Sequence, residues 1–458
     1  MEYQLQLDKI YRFKVLIGVI LSSILFIFLS INMLGIKGYA LSAGLIFFTL
    51  LAPLLLNKYK QFLFVWILIV PFLDTYRGLL IGNTNVFTYF VTGLTFPVAI
   101  ILIIKNYDKV FKDFPYVKYL FLLQFLILAN IIRPDIPVME IFNPFKFHFM
   151  EIFIIFCTYS FLKEKNNNPD KVLSWIAILA FINSSAIIFQ RLTGMWLSII
   201  EGIPRPGGIF GHPVDSSFFL NIFLPIGLYL FLKANTKKQR ILVGTTIVIS
   251  VFAILISLTK AAYITLAFNL FILFLYLPKK LKAKFIYTAV GLSILFIFVN
   301  YALSLEIIEK FMERLSNMHS WYWRLKIWGA LINNINIGTF LIGNGINSDA
   351  LYIMKIFPGE PTASHNLYIQ FIYEYGILAW GYFLALFTLG FKFIKATLNK
   401  TLENRFIYIV PFLVISVILI DSMSNITAIS SRTSVFCAWI TMVVFYNKLY
   451  NETRKIKK

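Results

Sequence analysis

Cysteine is almost absent from this chain: Cys157 and Cys437 are the only two in 458 residues. Both fall in apolar runs, far apart and without ligand-type spacing, which excludes a disulfide framework and a cysteine-bound zinc site. Charged residues are scarce too, at 14% of the chain, where a soluble domain carries roughly a quarter. Among the acidic residues there is no D-x-D pair suited to a divalent metal and no carboxylate cluster suited to glycoside hydrolysis. No internal repeat is visible, and the Gly/Pro-broken spans in two matching halves that mark many transporters are missing. Histidine occurs four times, so the setting of each one is informative.

What the chain has in abundance is apolar sequence: 59% of residues are hydrophobic and mean hydropathy is +0.78. Runs of about 17 to 20 residues, enough to cross the hydrocarbon core, recur along the whole length. They fall at 15–34, 39–56, 62–81, 86–104, 117–132, 147–162, 172–189, 216–232, 241–257, 261–277, 285–303, 367–387, 407–420 and 433–447. The runs are continuous rather than alternating, which predicts an all-α, polytopic membrane bundle of about 12–14 spans and not a barrel.

The formal charge is +21, and its placement is a topology signal. With both termini in the cytoplasm, basic runs such as KKQR at 237–240 and PKKLKAK at 278–284 collect on the inside. That accounts for the basic excess and excludes nucleic acid as a partner. The first apolar run is long and lacks a small-x-small cleavage site, so it reads as an anchor and not a removable signal.

Two outer loops are long, 190–215 and 304–366, and ordered loops of such length are usually functional. They divide the chain into N-terminal spans (1–190), a candidate catalytic region (191–390), and C-terminal spans with a basic tail (391–458). In the larger loop, SLEIIEKFMERLSNM (304–318) is amphipathic. The next segment, SWYWRLKIWGALI (320–332), is dense in tryptophan, as suits a helix at headgroup level. Arg314 and Arg324 sit in these two segments. FLIGNGINSDALYIM reads as a Gly/Asn turn region.

The segment PGEPTASHNLYIQFIYEYG then runs from turn-formers into an apolar helix. Ser364 is the expected N-cap, with His365 at the first helical position. The helix dipole there disfavours imidazolium, leaving His365 neutral and able to take a proton. Asn366, Gln370 and Glu374 follow at i, i+4 and i+8 as a polar stripe, read equally well as packing or as function. The other loop, IPRPGGIFGHPVDSS (203–217), offers Arg205 beside glycines that admit a ligand, with no phosphate-loop signature and no strand before it. His212 there reads as a turn residue. Lys260, in SLTKAAY, is a cation between two apolar spans, where it can snorkel to headgroups or hold an anion.

Several fixed cations without a metal suit binding a diphosphate and stabilising the charge that develops as it leaves. A neutral histidine nearby suits deprotonating an incoming hydroxyl. Outside the cytoplasm no nucleotide sugar is available, so a diphosphate substrate there must be carried on a lipid.

The series RPGGIFGHP, SLTKAAY, WRLKIWG, GNG and SHNLYIQFIYEYGI resembles the bacterial O-antigen ligase and polymerase superfamily, over roughly 200–390. The resemblance implies a GT-C-like glycosyltransferase of the cytoplasmic (inner) membrane, working at its outer face without cofactor or metal. The implied donor is an undecaprenyl-diphosphate-linked glycan. The implied acceptor is another lipid-linked repeat unit for a polymerase, or lipid A–core for a ligase, with a chain-length regulator as a further partner. The family's essential histidine falls on His365, and its diphosphate ligands fall on Lys260 and Arg324, with Arg205 a further candidate. Arg314, Asn366 and Glu360 are supporting candidates. Lys260 departs from the arginine usual at its position.

The polymerase reading is preferred over the ligase, since nothing marks a dedicated lipid A–core docking site. A flippase or transporter would have a similar span count. It would want charges lining a central cavity, for which Lys146, His148 and Glu151 are the best evidence. A peptidoglycan polymerase of the shape-and-division type would want an outer carboxylate, for which Glu360 is the candidate.

Overall fold

The computed structural model describes residues 58–456 except 76–79, 82–83, 133–137, 165–166, 201, 278, 303–305, 317–318, 360–363, 400, 403 and 426–431. The expected spans at 15–34 and 39–56 lie outside the described residues. The chain is an all-α polytopic membrane protein. Among the described residues, seven helices are long and apolar enough to cross a bilayer, and three shorter apolar helices accompany them.

Helix α1 (59–75) contains a π-helical stretch, Val65–Ile69, and precedes a small hairpin of β1 (Leu80–Ile81) and β2 (Thr84–Asn85). The helices α2 (Val86–Asp113), α3 (Val117–Ala129), α4 (Val138–Lys163) and α5 (Pro169–Thr193) follow. A second hairpin, β3 (Leu197–Ile200) with β4 (Ile203–Pro206), fills the 190–215 loop. A strand therefore does precede the glycine-rich loop, contrary to what the sequence pattern predicts. Alternation is too short over four residues to register beside long apolar runs.

Next come α6 (Pro213–Lys233), α7 (Lys237–Ile256), α8 (Lys260–Tyr276) and α9 (Lys279–Ala302). The large loop carries α10 (Ile307–Ser316), α11 (His319–Asn333), α12 (Ile337–Ile342) and α13 (Ser348–Ile356). The segment expected only to turn, 340–354, therefore turns between two short helices. The chain ends with α14 (Leu367–Tyr375), α15 (Gly381–Leu398), α16 (Ile409–Ser422) and α17 (Arg432–Ile456).

The expected single span at 367–387 is broken. Helix α14 stops at Gly376, whose φ of +78° is a left-handed conformation open to glycine. A 3-10 turn, Ile377–Trp380, then starts the candidate span Ile377–Leu398. A hydropathy window reads across one glycine without seeing it.

Helix α4 lies at the centre of the bundle, packed against α1, α2, α3 and α17, and most of its second half is buried. Lys146, His148 and Glu151 are all buried there. One Glu151 oxygen is 2.8 Å from His148 Nδ1, and the other accepts from Trp439 Nε1 of α17 at 2.8 Å. Buried carboxylates need such partners, so Glu151 cross-links two helices of the core.

Candidate functional site

The site is built at the end of the bundle where α6 and α8 begin and α16 finishes, three helices that pack on one another. Its first part is the 203–217 loop. Gly208 has φ +59°, and a Cβ there would strike Asn183 Oδ1 and Ile187, so no other residue fits. Two amides of α5 hold this turn. Asn183 Oδ1 accepts from Ile209 N at 3.0 Å and from Ser216 Oγ at 3.1 Å. Gln190 accepts from Gly208 N at 2.8 Å and donates to Gly208 O at 3.2 Å.

Anchored in this way, Arg205 reaches inward and is only 2% exposed. Its Nε donates to Ser257 O at 3.0 Å and its Nη2 to Thr259 Oγ1 at 2.6 Å. These are the residues between α7 and α8, and Leu258 between them has φ +53°. The guanidinium thus fixes the turn whose next residue is Lys260, half-buried at the start of α8. His212 occupies the N-cap position of α6 without a side-chain capping bond, and its Nδ1 lies 4.0 Å from Asp215 Oδ2.

The second part joins α11, α14 and the turn after α16. Arg324 Nη1 donates to Ser424 O at 2.8 Å. One helical turn later, Trp328 Nε1 donates to Ser364 O at 2.8 Å, which puts the residue before His365 on the same face of α11 as Arg324. The cap of α14 is Asn366, not Ser364. Its Oδ1 accepts from Tyr368 N at 3.1 Å and Ile369 N at 3.2 Å, while its Nδ2 donates to Met423 O at 3.3 Å.

His365 therefore precedes the cap, two residues before the helix instead of at its first position, with φ +51°. Histidine enters this left-handed region more often than most residues, and a strained conformation persists only where the surroundings enforce it. Here Trp328 fixes Ser364 before it, and the capping bonds and Met423 O fix Asn366 after it. The 423–425 turn accepts from both Arg324 and Asn366, so it locks the two segments together.

The third part explains GNG and EYG as one interlock. Gly343 (φ +73°) and Gly376 lie so close that a Cβ on the first would meet the Glu374 carbonyl, and on the second the Leu341 carbonyl. Asn344 N donates to Tyr373 O at 2.7 Å and Gly345 N to Glu374 O at 2.9 Å. Glu374 Oε1 accepts from Asn347 N at 2.9 Å and from Gln370 Nε2 at 3.2 Å. Burial, and then the charge of neighbouring Asp349, raise the Glu374 carboxyl well above its ordinary range; burial raises Asp349 as well. Of the polar stripe, Gln370 and Glu374 thus brace a loop, and Asn366 caps.

Asp421 and Asn425 were not expected. Asp421, the penultimate residue of α16, is buried and accepts from Asn425 Nδ2 at 2.9 Å. The signal in sequence is the polar run DSMSN at the edge of an apolar span, which resembles any span end. The side chain of Arg314 and the whole of Glu360 lie outside the described residues. Among the described residues, no three His, Cys, Asp or Glu side chains cluster as a metal site would need.

No curated protein matches the chain. A family model described as O-antigen ligase matches residues 245–384. That segment holds Lys260, Arg324 and His365, whereas Arg205 and the 421–425 turn fall outside it. Over residues 245–384, less than a third of the chain, this match supports a resemblance to the O-antigen ligase and polymerase superfamily.

Proposed function

We propose that this protein moves a glycan from an undecaprenyl-diphosphate carrier to an acceptor hydroxyl, at the outer face of the bacterial inner membrane. His365 takes the proton of the acceptor hydroxyl as its oxygen attacks the anomeric carbon. The bond from that carbon to the diphosphate oxygen breaks, and the leaving diphosphate gathers negative charge. Lys260 and Arg324 receive that charge, with no metal required, while Arg205 supports Lys260 from behind through the 257–259 turn. A fixed cation is most effective where it need not reorganise as charge develops.

The observation that carries this reading is the 423–425 turn, which ties the segment of His365 to that of Arg324. A base and a charge acceptor held by one turn suit a step in which proton removal and departure of the diphosphate are concerted.

Of the two acceptors we favour another lipid-linked repeat unit, which makes the chain a polymerase working with a chain-length regulator. Transfer to lipid A–core draws its support from the description of the matched family. The test is His365→Ala in a strain lacking the native gene, with surface polysaccharide resolved on gels. Loss of a general base should slow transfer about 10²- to 10⁴-fold and leave short or unlinked glycan. Full-length polymer from a well-expressed variant overturns the role of His365. Unlinked long chains would identify a ligase, and single repeat units a polymerase.

A further inference from the structure

At the opposite end of the bundle, the C-terminal parts of α2, α4, α15 and α17 enclose an open cavity of about 1020 Å³, at the upper end of the range of ligand sites. This is the end that the Lys/Arg distribution assigns to the cytoplasm. Six cations line the cavity: Lys105, Lys109, Lys112, Lys163, Lys392 and Arg454. Against them stand two carboxylates, Asp113 and Glu164. Asp113 is already engaged, accepting from Tyr159 at 2.6 Å and pairing with Lys163 at 3.1 Å. Glu164 accepts from Asn167.

Lys392 is fixed to the wall. Its ammonium donates to Tyr446 at 2.8 Å and lies 4.4 Å from a tyrosine ring centre, that of the same Tyr446. Among the described residues, Lys105, Lys109 and Arg454 have no ion pair. A neighbouring basic cluster behaves differently: Lys233 and Lys448 both close on Asp170, at 2.5 and 3.1 Å.

Helix dipoles and the positive-inside rule favour a lysine at each of these helix ends one at a time. They do not require cations from four segments distant in sequence to converge on one cavity with a surplus of positive charge. A ligand with two negative charges, held at headgroup depth, does. Basic pockets between spans on the cytoplasmic side are the recognised form of headgroup sites. We propose that this cavity binds a lipid bearing two phosphodiesters, the cardiolipin class, with its phosphates on the Lys105, Lys109 and Arg454 side and its chains along the apolar flank of the bundle.

The test uses the full chain in detergent, titrated with cardiolipin, with phosphatidylcholine, and with inorganic pyrophosphate, read by thermal shift and native mass spectrometry. Cardiolipin should bind and raise the melting temperature, and phosphatidylcholine should not. The triple variant Lys105→Gln, Lys109→Gln, Arg454→Gln replaces exposed side chains and should fold. It should bind cardiolipin at least about tenfold more weakly, or about 1.4 kcal/mol. Removing the same charge elsewhere on this end, with Lys237→Gln, Lys238→Gln and Lys279→Gln, should leave affinity unchanged. Equal loss in both triples overturns the proposal in favour of diffuse surface attraction. Saturation by pyrophosphate with no response to cardiolipin overturns the lipid as ligand in favour of a free diphosphate.

Discussion

The two ends of this bundle use cationic and polar side chains for opposite purposes. At the site end, they hold backbone. Arg205 donates to Ser257 O, Arg324 to Ser424 O, and Asn366 to Met423 O, and Asn183 and Gln190 grip the turn at Gly208. At the other end, several lysines hold carboxylates and phenols. Lys233 and Lys448 meet on Asp170 and Tyr229, and Lys163 meets Asp113. Side chains that hold carbonyls set the shape of irregular loops, which have no ladder of their own to satisfy them. Side chains that hold charges fasten helix ends already regular in themselves. The consequence is that donor geometry should matter at the site end, and charge alone at the other.

Arginine 324 gives the largest expected contrast. Arg324→Ala removes both the fork and the charge, and should cut glycan transfer about 10²- to 10³-fold, the usual cost of losing one electrostatic contact to a developing anion. Arg324→Lys restores charge but not the planar fork that reaches Ser424 O, so it should recover only part of that activity. The matching exchange at the other end, Lys233→Arg, should leave transfer unchanged. If Arg324→Lys is as active as the parent protein, geometry is not what distinguishes the two ends.

The same contrast separates what the sequence makes legible from what it hides. Long apolar runs and the asymmetry of Lys and Arg are additive properties of a chain, so the spans and the basic end can be read directly. The site end depends on single positions. Asn366 takes the cap from Ser364 because its side-chain oxygen reaches two backbone N–H groups while His365 is held at positive φ, a conformation no pattern of hydropathy records. Gly376 breaks an apparent span because it must pass the 341–343 backbone, a contact set by a loop some thirty residues away.

Arg205 was legible as a cation in a glycine-rich loop. Its inward direction depends on the hairpin beneath it, and the inward-facing Asp421 was lost in a span end. The motifs quoted for the family fall on these turns: GNG and EYG on the interlock, SLTK on the turn fixed by Arg205, and SHN on the cap.

Asp170 offers the second contrast. It is the anchor for two ammonium groups, one of them mostly buried. Asp170→Asn keeps its shape and leaves those charges facing each other. Exposed pairs contribute up to about 1 kcal/mol and breaking buried ones costs about 3–5 kcal/mol, so this half-buried case should cost about 2 kcal/mol. The loss should appear as a lower melting temperature in detergent, with transfer per folded molecule unchanged. A variant that melts normally but transfers poorly would show that this end takes part in the reaction.

The smallest effect concerns a place where the site end sets two buried carboxylates side by side. Glu374 and Asp349 are buried side by side, and both are raised above the ordinary values of 4.5 and 3.8. Between those values and the raised ones, the folded protein holds a proton that the unfolded chain has released. Stability is therefore fully present below the ordinary carboxylate range and falls as pH rises through the raised value, by at most about 1.4 kcal/mol per pH unit for one proton. Glu374→Gln keeps an oxygen to accept from Asn347 N–H and removes the titration, so its melting temperature should decline less steeply from acid to alkaline pH. Parallel slopes for the two proteins would mean that the pair is ionised in the fold and must have a cation as partner. In that case the site end would fasten its charges as the basic end does, and the contrast between the two would reduce to a difference in which side chains are cationic.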